Sequence, residues 1–224
     1  MLRKKRREKN DSTRQRYSQV HMSVMFYKLS GGNQFKIEFA AGNDWEEIKC
    51  SASPSHQRAG ERITDLRVVL PSSTVPHFMR TQLNDWIITE DTALLFEEAG
   101  FIGYLLKPVT IVSVKKGNKE EVPKLWEFIA LGNGGEALPK SGILLRYECP
   151  ICKLKRYTDF RNGLFIDEHQ WDGSDFFSVW PLPKYIIVTE RVKQFIEQHT
   201  LSNCMLIPTA ELIGKVEEGG LGLA

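Results

Sequence analysis

The sequence predicts an α+β protein of two related strand-helix-strand halves, with antiparallel or mixed sheets and a zinc-ribbon-like knuckle. Three observations carry this prediction. The chain has the 42% apolar and 26% charged residues of an ordinary globular protein. A stretch of about two dozen residues recurs 100 positions later, and a Cys-x-x-Cys pair lies between the two copies.

The recurring stretch covers residues 85–109 and matches the chain 100 residues later without a gap. Each copy predicts a β-rich strand, a helix that begins after a capping threonine, and a second strand that a proline ends. The alternative to a duplication is that two ordinary strand-helix-strand units resemble each other by chance. The identical pairs are Ile87 and Ile187, Thr89 and Thr189, Glu90 and Glu190, Glu97 and Glu197, Leu106 and Leu206, and Pro108 and Pro208.

Charge and composition divide the chain into four parts. Residues 1–24 form a leader that we expect to be disordered, and within it residues 1–16 hold eight basic and two acidic side chains. Residues 25–131 are the expected N-terminal α+β half, and residues 132–213 are the expected C-terminal α+β half with the Cys-x-x-Cys knuckle. Residues 214–224 are rich in glycine and predict a flexible tail.

The sequence has neither an apolar run of membrane-spanning length nor an apolar stretch behind its basic start, so we expect a cytoplasmic protein without membrane contact. Four cysteines in such a chain are more typical of metal or redox sites than of disulfide bridges.

The Cys149-Pro150-Ile151-Cys152 turn predicts two corners of a tetrahedral zinc site. Cys50 and His56 are the available further ligands, although a spacing of six is not a standard ligand pair. Lys153 follows the second cysteine, where the turn favours glycine because it needs a positive φ. The expected cofactor is therefore one structural zinc ion or, if the knuckle is degenerate, none.

No pattern in the sequence predicts catalysis, so we do not expect an enzyme. The chain has no phosphate-binding glycine loop, no dinucleotide fingerprint and no His-Glu-x-x-His helix. Asp167 and His169 could supply an acid and a base to a hydrolase, but no motif places a nucleophile beside them.

The order of several segments resembles the double-CXXCG-motif proteins over residues 26–209. These segments are residues 26–29, the approach from Trp45 to Cys50, the central strand-helix-strand unit, residues 149–152 and residues 175–191. The C-terminal unit is also similar to the immunity-protein-11 group. The resemblance implies a bacterial immunity protein that binds and neutralises a toxin exchanged between competing cells. The sequence departs from the double motif at Ser53, Pro54 and Lys153, so a four-cysteine site cannot form.

The partner implied by the resemblance is a cognate protein toxin. Residues 17–224 hold 22 basic and 26 acidic side chains, and such an acidic body would suit a basic toxin. The expected contact residues are Trp171, Asp172, Asp175 and Phe176, because aromatic side chains beside carboxylates can anchor a basic partner. The alternative is that these aromatic side chains fill the core. A competing interpretation of the whole protein is a zinc-ribbon-like nucleic-acid-binding protein that uses the basic leader.

Overall fold

The computed structural model describes residues 24–32 and 34–214, which form an α+β protein made mostly of strands. The predicted leader up to residue 23 and the predicted tail from residue 215 lie outside the described residues. The helices are α1 (Glu90–Glu98) and α2 (Glu190–Gln198). The strands are β1 (Phe26–Gly31), β2 (Lys36–Phe39), β3 (Trp45–Ile48), β4 (Arg58–Arg62), β5 (Arg67–Leu70), β6 (Phe78–Thr81), β7 (Trp86–Thr89), β8 (Tyr104–Pro108), β9 (Thr110–Val114), β10 (Leu125–Ala130), β11 (Gly132–Glu136), β12 (Leu145–Glu148), β13 (Lys155–Tyr157), β14 (Phe176–Trp180), β15 (Leu182–Thr189) and β16 (Cys204–Pro208).

Two mixed sheets form the body of the protein, as the sequence predicts. The larger sheet has the strand order β8-β10-β7-β6-β2-β5-β9, and its parallel pairs are β2 with β6 and β5 with β9. The smaller sheet has the order β11-β14-β15-β1-β16, and only β11 with β14 is parallel. Two separate hairpins, β3-β4 and β12-β13, lie outside these sheets.

The two predicted strand-helix-strand units are β7-α1-β8 and β15-α2-β16. Each helix begins after the predicted threonine, because the side-chain oxygen of Thr89 or Thr189 accepts a hydrogen bond from the backbone N–H three residues later. Both helices end on a residue with positive φ, which is +65° at Gly100 and +52° at Thr200. The second unit therefore makes the same helix end as the first with a threonine in place of glycine.

In both units a third strand lies between the two strands of the unit. In the larger sheet β10 lies between β7 and β8, and in the smaller sheet β1 lies between β15 and β16. The registers correspond residue by residue, since Trp126 pairs with Pro108 as Tyr27 pairs with Pro208. Strand β10 lies within the first unit but precedes the second unit in the sequence. Strand β1 lies within the second unit but precedes the first unit in the sequence.

Strand β1 pairs across the expected boundary between residues 131 and 132. This strand belongs to the N-terminal half in sequence, but its backbone pairs with two strands of the C-terminal half. The main apolar core is also shared, because Phe96 of α1 packs against Phe176 of β14 and Phe195 of α2. Removing the fully buried Phe96 ring would cost about 3–5 kcal/mol.

In the described part of the chain, neither nine-residue helix is long and apolar enough to span a membrane.

Candidate metal centre

The two separate hairpins carry the cysteines that the sequence analysis selected. Cys50 follows β3, which pairs with β4 so that Ile48 lies opposite Arg58. Cys149 follows β12, which pairs with β13 so that Glu148 lies opposite Lys155. Each hairpin thus presents the loop between its strands, and the structure brings these two loops together.

Four side chains meet where the loops face each other, and we call them the cysteine cluster: Cys50, His56, Cys149 and Cys152. Their possible ligand atoms all lie within 4.8 Å of one another. The Cys50 and Cys149 sulfurs are 3.7 Å apart, and the Nδ1 atom of His56 lies 3.5 Å from Cys50 Sγ and 3.9 Å from Cys152 Sγ. The structure therefore groups all four predicted ligands at metal-binding distance.

His56 reaches the cluster because the chain after Cys50 folds into one turn of 3-10 helix. This turn covers Pro54–His56 and begins at Ser53, whose side-chain oxygen accepts a hydrogen bond from the backbone N–H of Ser55. The turn shortens the distance along the chain, so that a spacing of six places the His56 ring beside the Cys50 sulfur. The ring is buried, with 8% of the residue exposed.

The Cys149 loop has a positive φ at Lys153, the position where the sequence analysis expects glycine. Lys153 adopts a φ of +57°, and its N–H donates to the Cys149 carbonyl oxygen at 3.0 Å. The pKa of the Cys149 thiol is lowered to about 6, chiefly because the backbone N–H of Cys152 donates to its sulfur and the N–H of Ile151 adds to this effect. The loop thus favours a thiolate, which is the form that binds metals.

Two further residues support the cluster, and the sequence analysis missed both. The Arg58 guanidinium donates to the Cys152 sulfur at 3.6 Å, to the Cys152 carbonyl at 3.2 Å and to the His56 carbonyl at 3.1 Å. The pKa of Tyr147 is raised, first by its hydrogen bond with the Cys149 sulfur. No motif marks either residue, and the contact of Arg58 with Cys152 spans 94 residues of sequence.

A buried ion pair attaches the first hairpin to the larger sheet. Arg62 at the end of β4 pairs with Glu127 of β10, and their side chains are only 8% and 6% exposed. Arg62 also donates to the Thr64 carbonyl oxygen at 2.6 Å. This ion pair therefore connects the β3-β4 hairpin, whose loop carries Cys50, to the larger sheet.

Of the four residues predicted to contact a partner, Asp175 and Phe176 are buried, Trp171 is half-buried and Asp172 is exposed. Phe176 is fully buried in the shared core, and Asp175 is buried with its carboxylate bonded to the backbone N–H of Ile102 and to the Arg191 guanidinium. Trp171 is half-buried, and its indole N–H donates to the Ser174 carbonyl. The alternative interpretation, in which this segment fills the core, agrees with the structure.

Asp172 and the suggested hydrolase pair form surface turns. The Asp172 carboxylate accepts hydrogen bonds from the backbone N–H groups of Asn133 and Ser174. The Asp167 carboxylate accepts one from the backbone N–H of His169 at 3.0 Å, and this bond is the main cause of its lowered pKa. These carboxylates close turns, and the structure brings no cysteine of the cluster to them.

Comparison with known proteins adds no relative, since the chain matches no protein-family model and no curated protein.

Proposed function

We propose that the cysteine cluster binds one structural zinc ion and that the protein is a bacterial immunity protein which neutralises a cognate toxin by binding it. A zinc ion bound by all four side chains would hold the two hairpins together. The toxin-binding function is inferred from the arrangement of the hairpins and from the resemblance to the double-CXXCG-motif proteins.

The donor set fits zinc in both chemistry and distance. Three sulfurs and one imidazole nitrogen form a common zinc ligand set, and Zn–S bonds near 2.3 Å in a tetrahedron place sulfurs about 3.8 Å apart. The 3.7 Å between Cys50 and Cys149 matches this value. Zinc would cross-link the two loops, and four protein ligands would leave no coordination position for a substrate. Its role would therefore be structural.

The single observation that carries the immunity proposal is that two loops at corresponding positions form one cluster. Cys50 and Cys149 are 99 residues apart, and Ser53 and Cys152 are separated by the same interval. This arrangement corresponds to a double motif in which Ser53 replaces one cysteine and His56, three residues later, takes over as the fourth ligand. Because the resemblance is to proteins that neutralise toxins by binding, we assign the same kind of function to this chain. A cytoplasmic location would keep the cluster thiols reduced.

Co-expression with the toxin encoded beside this protein's gene tests the proposal. The full chain should protect the cells and form a complex with the toxin that survives size-exclusion chromatography. Variants Asp167→Ala and His169→Ala should protect as well as the wild type, since neither residue takes part in the proposed binding role. Lost protection in the His169→Ala variant with an intact complex would indicate an enzyme and refute the proposal.

A nucleic-acid binding assay provides the second arm. The full chain and a chain without residues 1–22 should bind duplex DNA and RNA equally weakly at physiological salt. Tight binding that depends on residues 1–22, together with failure to protect, would favour the nucleic-acid-binding interpretation.

A further inference from the structure

We call the units β7-α1-β8 and β15-α2-β16 the first and the second repeat. In the second repeat the ammonium group of Lys193 lies among three side chains. It lies 3.5 Å from a carboxylate oxygen of Glu190 and 3.0 Å from one of Glu197, on the same face of α2. The Tyr27 ring of β1 lies beside it, with the nitrogen 5.3 Å from the ring centroid. Two carboxylates and one aromatic ring therefore surround a single lysine ammonium.

The first repeat has the same three groups but has no lysine at the corresponding position of its helix. Glu90 and Glu97 stand on α1 where Glu190 and Glu197 stand on α2, and Trp126 of β10 is the register equivalent of Tyr27. The equivalence extends to a hydrogen bond, since Trp126 donates to Glu90 as Tyr27 donates to Glu190. Ala93 stands at the position that corresponds to Lys193.

A groove of about 520 Å³ lies at this place, and we call it the α1 groove. Its lining includes Glu90, Ala93, Glu97 and Trp126. The methyl group of alanine does not extend to the two carboxylates, and the groove lies beside Ala93 and Glu97.

The charges around the groove are left partly unbalanced. The Lys124 ammonium lies 3.7 Å from a Glu90 carboxylate oxygen and 3.9 Å from the centroid of the Trp126 ring, so these two groups already have a lysine partner. No basic side chain of residues 24–32 and 34–214 forms an ion pair with Glu97. Helix α1 carries four acidic residues and no basic one, whereas α2 carries two of each sign. The groove is therefore acidic, and within the described part of the chain the Glu97 carboxylate has no ion pair.

The walls of the groove would suit the aliphatic part of a lysine side chain and its apolar neighbours. Leu94 and Ile102 line it and are 48% and 57% exposed. Tyr104 also lines it, and its pKa is raised by burial and then by the charge of Glu97, which places that charge next to the phenol. Long basic side chains commonly bury their methylene groups on such surfaces while the charged end meets a carboxylate.

We propose that the α1 groove binds a lysine side chain of a partner protein, with its ammonium group at Glu97. In the second repeat the Lys193 ammonium lies 3.0 Å from the equivalent glutamate, Glu197. The proposal goes beyond the immunity function, because it applies to any partner that presents a lysine and does not depend on zinc.

Nuclear magnetic resonance of the ¹⁵N-labelled full chain tests the proposal. The probe is the peptide acetyl-Gly-Leu-Lys-Leu-Gly-amide, and the control is the same peptide with norleucine, which has a similar aliphatic shape and no charge. The lysine peptide should shift the Trp126 indole N–H signal with saturation, and the norleucine peptide should not. The Trp171 indole signal, which reports a hydrogen bond to Ser174, should stay in place with both peptides.

Variants separate the groove from general attraction to an acidic surface. Glu97→Gln should weaken peptide binding about fivefold, which is the effect of losing one partly exposed ion pair. Glu98→Gln removes the same charge one residue away, outside the groove lining, and should bind like the wild type. Ala93→Lys should supply an internal ammonium and abolish binding, and its melting temperature shows whether the variant remains folded.

Three results would overturn the proposal. These are a Trp126 signal that does not respond to the lysine peptide, a Glu97→Gln variant that binds as tightly as the Glu98→Gln variant, and methylammonium chloride that binds as tightly as the peptide. The last result would make the groove a site for small amines. Failure to protect cells against a toxin would not affect any of these measurements, so the two proposals fail independently.

Discussion

The sulfur atoms of Cys50 and Cys149 lie 3.7 Å apart, although 99 residues separate them in the chain. The same interval relates Tyr27 to Trp126, whose strands occupy equivalent places in the two sheets. An interval of 99 residues therefore relates both the inserted strands, β1 and β10, and the two loops of the cysteine cluster. Ser53 then corresponds to Cys152, and in the proposed zinc site His56 would supply the ligand that Ser53 does not.

Removing and restoring the fourth ligand should therefore remove and restore zinc. His56→Ala should lower the zinc content of the purified protein well below one ion per chain and lower its melting temperature, because metal binding contributes to folding free energy. Adding Ser53→Cys to that variant should recover both values, since residue 53 occupies the position of the second thiol. Elemental analysis and thermal unfolding measure the two effects.

The matched control for this rescue is Ser55→Cys in the His56→Ala background. It adds a thiol to the same exposed turn, two residues from the position that corresponds to Cys152, and should not recover zinc. If wild-type protein purified without chelators contained no zinc, or if both double variants recovered it, the proposed ligand set would be wrong.

The sequence predicts the features that depend on neighbouring residues and misses those that depend on distant ones. The threonine caps at Thr89 and Thr189 are confirmed because a cap involves only the next three residues. The pairing of β1 with strands of the C-terminal half is not predictable in this way, since any apolar strand pattern fits either sheet. The same limit applies to Asp175 and Phe176. An aromatic residue beside a carboxylate is equally consistent with an exposed partner-binding site and with a buried, hydrogen-bonded position in the core.

The buried ion pair between Arg62 and Glu127 should be important for stability. Glu127→Ala should lower the free energy of unfolding by about 3 kcal/mol, because the Arg62 charge would remain buried without its partner. Glu38→Ala removes a carboxylate from the exposed pair with Lys115 and should cost less than about 1 kcal/mol. Urea unfolding of both variants measures the difference, and equal losses would contradict the proposed anchoring of the first hairpin.

Deletion of residues 1–22 should leave the folded body almost unchanged. The deleted residues lie outside the described part of the chain, and the retained Val24 N–H bonds to Glu168 at 2.8 Å. We expect the melting temperature to stay within about 2 °C of the full-length value. A larger decrease, measured by circular dichroism, would show that the leader packs against the body.

The cysteines should differ in their reactivity towards iodoacetamide at pH 8. Burial raises the pKa of the Cys204 thiol to about 12, so this residue is almost entirely protonated at pH 8 and its alkylation should become fast only near pH 12. Cys50 and Cys152 are half-buried and should be alkylated only after a chelator has removed zinc. Mass spectrometry assigns the modified residues, and guanidinium-unfolded protein gives the reference rate. Rapid labelling of Cys204 in the folded protein would contradict this prediction.

The ends of the two helices should respond oppositely to exchange of glycine and threonine. Thr200 holds a φ of +52°, which is unfavourable for a residue with a β-carbon, while Gly100 holds the equivalent φ of +65° without this cost. Thr200→Gly should therefore raise the free energy of unfolding by about 1 kcal/mol, and Gly100→Thr should lower it by a similar amount. A β-carbon built at Gly100 meets no atom within 4 Å, so the loss there would reflect backbone conformation and not a steric clash. Urea unfolding of the two variants measures both effects, and a Thr200→Gly variant less stable than the wild type would mean that the threonine side chain itself stabilises the end of α2.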